Sequence, residues 1–419
     1  MNKIAVLIVS ENATNLFGGE AILALRYFEL LKTHENVEPY LLTHCRNRSE
    51  LAKISHLDHD KIYYIPDTWL FRFLQKLGRY IPKTLDIVSY GLLISLLTSI
   101  SQWWIARKII RKHQINLIHQ PSPVSPKIPS MMFGLKRPVI IGPMNGGMDY
   151  PPAFKHMNTA IESVSYFIFR SFSHVANVII PGKFLANLLL VSNIRTQNAL
   201  PKFHAKRVEV LVENGVLVTK KILRDPIKKN IELLFVGRLV DWKGLDILLE
   251  ALNKCVGLNI TLTVIGDGPE ENHLKGYSNQ LGLSNVAFVG HIPFPLLTKY
   301  YDSADIFVLP SLRECGGAVV LEAMARGLPV IATDWGGPAD YVTKETGFLI
   351  KPTSRENMVK EISTCIAALS ENQSLREKMG SAALKHVNEN FLWHDKIIQM
   401  TNYYQEVLAN HAAGTHDLI

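Results

Sequence analysis

Two carboxylates and a glycine pair, all within nine residues, are the part of this chain best suited to chemistry. Glu314 and Glu322 frame Gly316-Gly317. Just upstream, Ala304 to Pro310 (ADIFVLP) reads as a short buried strand ended by a proline. Downstream, Ala318 to Arg326 is a run of helix formers closed by Gly327, and Pro329 to Thr333 is a second buried strand. Strand, glycine loop, helix and strand make a βαβ unit whose glycines lie where strand hands over to helix. A helix N-terminus there offers unpaired N–H groups and about half a positive charge, and glycines let a phosphate come close to that backbone. The helix is apolar on every face, so Glu322 is expected to be buried and to need a partner. That partner is either Arg326 one turn on or a ligand diol, with Glu314 meeting a polar group of the same ligand.

The same grammar recurs. The strand Ile231 to Val236 runs into Gly237-Arg238 and Asp241-Trp242-Lys243-Gly244 before a helix, so Arg238 and Lys243 flank a strand-to-helix turn where their charges could meet a diphosphate. Thr261 to Ile265 with Gly266-Asp267-Gly268, and Val286 to Val289 with Gly290-His291, repeat the unit. At the other end, Lys3 to Ser10 is a buried strand, and Gly18-Gly19 precede a helical segment from about Glu20 to Lys32. That junction is not G-x-G-x-x-G, which tells against a dinucleotide. His119 closes the strand Ile115 to His119, at the carboxyl end where open α/β sheets build their sites, though a lone histidine there serves packing as readily as binding. Asn145-Gly146-Gly147 follow the strand Val139 to Ile141 and could bring backbone N–H groups and an amide to a ligand hydroxyl.

Glu314-x7-Glu322, EAMARGLPVIAT and Gly336-Gly337, with FVGRLVDWKGLDILLEAL and VIGDGPE upstream, closely resemble the donor-site signature of the retaining glycosyltransferases of family 4, which have the GT-B fold. The resemblance is strong over about residues 230 to 350. It implies a nucleotide-sugar donor. Arg238, Lys243, Gly316 and Gly317 would hold the diphosphate, Glu322 the ribose diol and Glu314 the sugar hydroxyls. Gly18-Gly19 would face the diphosphate from the opposite domain, and His119 would lie near the donor sugar. Where the family often has E-G-F-G, this chain has Glu314-Cys315-Gly316-Gly317, a departure in the sugar-facing loop.

The elements that must position these residues fit a globular chain of 419 residues, 47% hydrophobic and 20% charged. Cys45, Cys255, Cys315 and Cys365 show no C-x-x-C spacing, which excludes a zinc or disulfide framework and fits a cytoplasmic, reducing compartment. The short apolar run at the N-terminus is a poor signal peptide. Residues 1–217 carry 25 Lys and Arg against 14 Asp and Glu, a balance of +11, whereas the whole chain has +8. Within residues 69–114, eight bases (Arg72, Lys76, Arg79, Lys83, Arg107, Lys108, Arg111, Lys112) face the single acid Asp86. Residues 87–106 are uncharged and end near Trp103-Trp104. A transmembrane span there would split one domain across the bilayer, so a helix partly in the core and partly on an anionic membrane surface is expected. No nucleic-acid-binding motif is visible. Further readings are a helix around Thr159 to Phe172, a strand Val175 to Ile180, a helix from Lys183 and a strand Val208 to Leu211.

Together these features predict two doubly wound, Rossmann-like α/β domains facing across a cleft. The expected boundaries are residues 1–217 for an acceptor-side domain and 218–394 for a nucleotide-sugar domain, with 395–419 a helix crossing back to the first. No DxD-like acidic pair is placed to hold a metal, so fixed cations and a helix dipole are expected to serve the diphosphate without metal or cofactor. The expected partners are a nucleoside-diphosphate sugar and a glycan or lipid-linked acceptor, with Glu314 and His119 at the reacting sugar. A nucleotide-sugar epimerase of the same architecture and a non-catalytic sugar-nucleotide-binding protein are the alternatives.

Overall fold

The computed structural model describes residues 3–14, 19–68, 73, 91–158, 172–217, 219–220, 222 and 230–416. Gly18, the bases Arg72, Lys76, Arg79 and Lys83 with Asp86, and most of the helix expected around residues 159–172 lie outside them. The chain forms two compact α/β units. The first comprises Met1–Gly147, Asn158–Glu213 and His394–Ile419; the second comprises Met148–Met157 and Asn214–Trp393.

The first unit is built on a seven-stranded sheet. Its strands are β1 (Ile4–Val9), β2 (Val37–His44), β3 (Ile62–Ile65), β4 (Leu117–Gln120), β5 (Val139–Met144), β6 (Leu188–Val191) and β7 (Val208–Val210), in the order β3-β2-β1-β4-β5-β6-β7. Every pairing is parallel. β1 is buried at all but its first residue, and β4 and β5 are buried throughout, which is why they read as continuous apolar runs rather than as alternation. Helix α1 (Glu20–Leu31) follows β1, and α2 (Gly91–His113) precedes β4.

Helix α2 resolves the uncharged stretch. Thr98, Gln102, Ala106, Ile109 and Ile110 are buried, and the last three belong to the core beneath the sheet. The opposite face exposes Ile100, Trp104, Arg107, Lys108, Arg111 and Lys112 at helical spacing. Trp103 donates from Nε1 to the Phe133 carbonyl at 2.9 Å, while the Arg107 guanidinium lies 5.5 Å from its ring centre. Among the described residues no helix is long and apolar enough to cross a membrane.

Between β5 and β7 the structure departs from the sequence expectation. Residues 172–179 form a helix, α3, which takes up all but the last residue of the strand expected over Val175 to Ile180. The Ile180 N–H donates to Ala176 O, and the Asn177 amide donates one turn back to Ser173 O. The helix expected from Lys183 is only the turn Gly182–Leu185, and the apolar residues just beyond it are β6. A short run dense in valine and isoleucine is compatible with either element, and the buried polar pair Ser173 and Asn177, four apart, belongs to the helix.

The second unit has six parallel strands: β8 (Ile231–Val236), β9 (Ile260–Ile265), β10 (Val286–Gly290), β11 (Ile306–Leu309), β12 (Val330–Thr333) and β13 (Gly347–Ile350). Their order is β10-β9-β8-β11-β12-β13. Helices α4 (Leu245–Asn253), α5 (Glu271–Gln280), α6 (Phe294–Ser303) and α7 (Ala318–Met324) alternate with the strands, and α8 (Arg355–Glu371) and α9 (Gln373–Asn390) follow. Helix α10 (Trp393–His416) returns the chain to the first unit. Each sheet starts at a central strand and runs outward in both directions. The strand order therefore reverses between β1 and β4 in one unit and between β8 and β11 in the other, the crevices where such sheets bind ligands.

Candidate active site

In the second unit the expected donor residues gather at the reversal point. Arg238 and Lys243 follow β8, and Glu314, Gly316 and Gly317 follow β11, the strand paired to it. The two loops are fastened together: the Leu312 N–H donates to Trp242 O at 2.8 Å, and Ser311 Oγ donates to the same oxygen at 3.3 Å. At Gly244, which begins α4 with φ +67°, a Cβ would stand 2.3 Å from Pro310 O, so only glycine lets the loops approach this closely. Lys243 Nζ is thereby brought into a direct ion pair with Glu314 Oε2, both side chains mostly shielded from solvent. Arg238 is exposed and forms no ion pair with any described residue.

Gly317 caps α7 in the left-handed conformation with no side-chain cap; the Val320 N–H turns back to Gly317 O at 2.9 Å, and the Ala318 and Val319 N–H groups are left open among the described residues. The Gly336-Gly337 pair braces the same loop. The Gly337 N–H donates to Glu314 O at 2.9 Å, and a Cβ on Gly337 would meet Gly316 O at 2.1 Å. Inside α7, Glu322 is held by a neighbouring helix: its Oε2 accepts a 2.8 Å hydrogen bond from the buried Tyr301 hydroxyl of α6. Burial raises the Glu322 carboxyl above the usual carboxylate range, and the Tyr301 bond only partly opposes that. Arg326, the partner one turn on that the sequence offered, pairs with Asp302. Cys315 is exposed.

A contributor not foreseen from the sequence is the segment Met148–Met157, which belongs to the second unit although it lies in the N-terminal half of the chain. Trp335 donates from Nε1 to Asp149 O at 2.8 Å. The Arg313 guanidinium stacks 5.6 Å from the Tyr150 ring centre, and Met148 Cε lies against Gly336. This strap grips the residues on either side of Glu314. Its signal in the sequence was the aromatic and proline-rich DYPPAF, which carries no period. Phe154 and His156 of the strap, with Asp241, Leu312 and Arg355, line a cavity of about 370 Å³ that includes none of the expected donor residues.

In the first unit the expected residues are placed differently. Gly19 is the N-terminal cap of α1, with φ +67°. His119 is 0% exposed, and both ring nitrogens are engaged. Nε2 lies 2.7 Å from Gly142 O, so it carries the proton, and Nδ1 accepts from the Tyr404 hydroxyl of α10 at 2.7 Å. Tyr27 of α1 packs edge-on at 4.8 Å between ring centres. Desolvation drives the imidazole pKa down to about 4 despite the bond to Gly142. So held, His119 has no nitrogen to offer a sugar. Asn145 is likewise engaged, donating to Glu213 Oε1 at 2.5 Å, while Ser192 donates to Glu213 Oε2. Lys396 of α10 faces that buried carboxylate. No group of three or more His, Cys, Asp and Glu able to hold a metal occurs among the described residues.

These sites can be set beside known proteins. Residues 220–386 match the family model described as Glycosyl transferases group 1. The chain is 31% identical over 232 residues to a sulfoquinovosyl transferase of Arabidopsis thaliana, covering 54% of this chain and 41% of that protein. It is 34% identical over 188 residues to a capsular polysaccharide biosynthesis glycosyltransferase of Staphylococcus aureus, covering 43% and 47% respectively. The aligned stretches thus span about half of these relatives. Among solved structures, sucrose-phosphate synthase from Thermosynechococcus elongatus superposes with a TM-score of 0.71 at 19% identity, covering 97% of this chain and all of that one. An Anabaena protein solved in complex with UDP and glucose superposes with a TM-score of 0.60 at 18% identity, over 96% and 99%. At those identities the likeness is one of fold, and the fold is GT-B.

Proposed function

We propose that the protein is a metal-independent glycosyltransferase that moves a sugar, with retention of configuration, from a nucleoside-diphosphate sugar to a glycan or lipid-linked acceptor in the synthesis of cell-surface polysaccharide or glycolipid. The observation that carries this reading is the meeting of Lys243 and Glu314 beside the open end of α7, at the reversal point of the second sheet. Without donor, the Lys243 charge is spent on Glu314. An arriving diphosphate competes for that ammonium, and Arg238 and the N–H groups around Gly316 and Gly317 add donors. Glu314 is then released toward the sugar hydroxyls. Glu322 receives the ribose diol, with Tyr301 fixing its second oxygen.

Fixed cations and backbone dipoles stabilise the charge that grows on the departing diphosphate, and preorganised electrostatics of this kind supply most of the rate enhancement in many enzymes. The acceptor then attacks from the leaving group's own face. His119 belongs to the frame of the first unit rather than to the sugar contacts. The exposed bases of α2 and the basic balance of residues 1–217 support work at an anionic membrane surface, on its cytoplasmic side.

The test is a panel of nucleotide sugars, read by thermal stabilisation and by donor hydrolysis. One donor base and sugar should raise the melting temperature and be turned over slowly without acceptor, undiminished by a chelator. Stabilisation by none of them would reject the donor site.

A further inference from the structure

Helix α3 is amphipathic the wrong way round for a soluble protein. Its polar residues Ser173 and Asn177 are each 3% exposed, with the Asn177 amide donating to Ser173 O and to Lys127 O. Its four large apolar residues face outward, Phe172 at 48% exposed, Val175 54%, Val178 59% and Ile179 73%, while the small Ala176 is buried. These four fall at intervals of three and four, one continuous stripe on one face. The turn Gly182–Leu185 extends the surface with Phe184 and Leu185, both exposed. A water-soluble helix buries such a stripe; here the hydrogen bonds of Ser173 and Asn177 fix the opposite choice.

The rim is basic. Lys127 lies beside α3, because the Asn177 amide donates to its carbonyl at 2.8 Å, and the charges of Lys127 and Lys202 add to burial in lowering the His174 pKa. Lys202 is exposed, and the Ala205 N–H donates to Lys183 O at 2.9 Å, so the loop carrying Lys202 runs alongside the Gly182–Leu185 turn. Apolar side chains flanked by lysine suit the boundary between acyl chains and anionic headgroups. They do not suit a second copy of the same face, since a two-fold contact would set these lysines against each other.

We propose that α3 and the Gly182–Leu185 turn form the face by which the protein docks onto an anionic lipid bilayer, a more specific statement that rests on the membrane reading above. The apolar side chains enter the acyl boundary, and the exposed Lys202 meets lipid phosphate. The exposed face of α2 is then a supporting contact or none.

Co-sedimentation with vesicles of phosphatidylglycerol and phosphatidylcholine, against phosphatidylcholine alone, tests this with the full chain. Wild type should pellet with the anionic vesicles. Val175→Asp/Ile179→Asp should lower the partition coefficient at least tenfold, and Lys202→Glu severalfold with a weaker salt dependence. Ile179→Trp should raise it. All three positions are exposed, and unchanged melting temperatures will show that the variants fold.

Wild type staying in the supernatant at low salt overturns the proposal. So does full binding by the double aspartate variant together with loss of binding when Arg107, Lys108, Arg111 and Lys112 become Ala, since α2 is then the contact. A concentration-dependent dimer in light scattering, abolished by the double aspartate variant, would also overturn it by giving the face to a second copy. Donor hydrolysis measured without vesicles separates the two readings: vesicle binding without turnover supports the docking face and tells against the transferase.

Discussion

At the level of single residues, the proposed function makes Lys243 a cation shared between Glu314 and a diphosphate, and the consequences divide cleanly. Lys243→Ala and Arg238→Ala should each lower kcat/KM by about two to three orders of magnitude, roughly 3–4 kcal/mol of lost transition-state stabilisation. Steady-state kinetics with unchanged melting temperatures checks this, and near-wild-type values in both variants would reject the diphosphate assignment. Glu314→Gln should leave nucleoside-diphosphate affinity equal or higher, because the carboxylate competing for Lys243 is gone, while turnover of the donor falls. Glu322→Gln should weaken nucleoside diphosphate and donor alike. Because burial raises the Glu322 pKa, nucleotide affinity in the wild type should climb as pH rises through that value and the carboxylate ionises, and Glu322→Gln should flatten the climb. Calorimetry across acidic to neutral pH reads both effects. His119 makes a separate pH statement. Its folded-state pKa of about 4 lies below the ordinary 6.5, so the unfolded chain binds the extra proton first. Stability is therefore whole above about pH 6.5 and declines toward pH 4 by up to about 3 kcal/mol. Denaturant titrations of wild type and His119→Gln at pH 7 and pH 5 should show the mutant losing less on acidification.

Among the elements, the strap supplies the next prediction. Trp335→Phe keeps the ring but removes the bond to Asp149 O, so the Glu314 loop should loosen. A severalfold fall in kcat with little change in KM for the donor is expected from kinetics; no change would make the strap a mere connection. The elements themselves were legible in uneven measure. The run from β11 through α7 to β12 could be read because buried parallel strands are continuous apolar runs and glycines mark their turns. The same property misled at residues 175–180, where an apolar stripe facing water looks like a strand bound for the core. The site divided along a similar line. Lys243 and Glu314 could be foreseen at one end of the second sheet, since each lies in a glycine-containing loop that follows a strand. Their direct ion pair could not, because it depends on how β8 and β11 are paired. Nor could the fate of His119, because the Tyr404 hydroxyl that holds it comes from 285 residues further along the chain.

Across the molecule as a whole, the chain passes between its two units four times: after Gly147, Met157, Glu213 and Trp393. The last passage is the most consequential. Helix α10 brings Tyr404 to His119 and Lys396 to Glu213, and it adds the buried Ile397, Met400 and Val407 to the first unit. Ending the chain at Trp393 should therefore depress the melting of the first unit while nucleotide still stabilises the second, two transitions resolvable by calorimetry. The passage also has a meaning in time. A ribosome delivers the residues of the first sheet earliest, yet that unit lacks its closing helix until residues 394–416 emerge. The second unit has every residue it needs once Trp393 is out. On the ribosome, then, the half of the protein that is written first is finished last, and its open core must wait, exposed to chaperones, behind a second unit that is already complete.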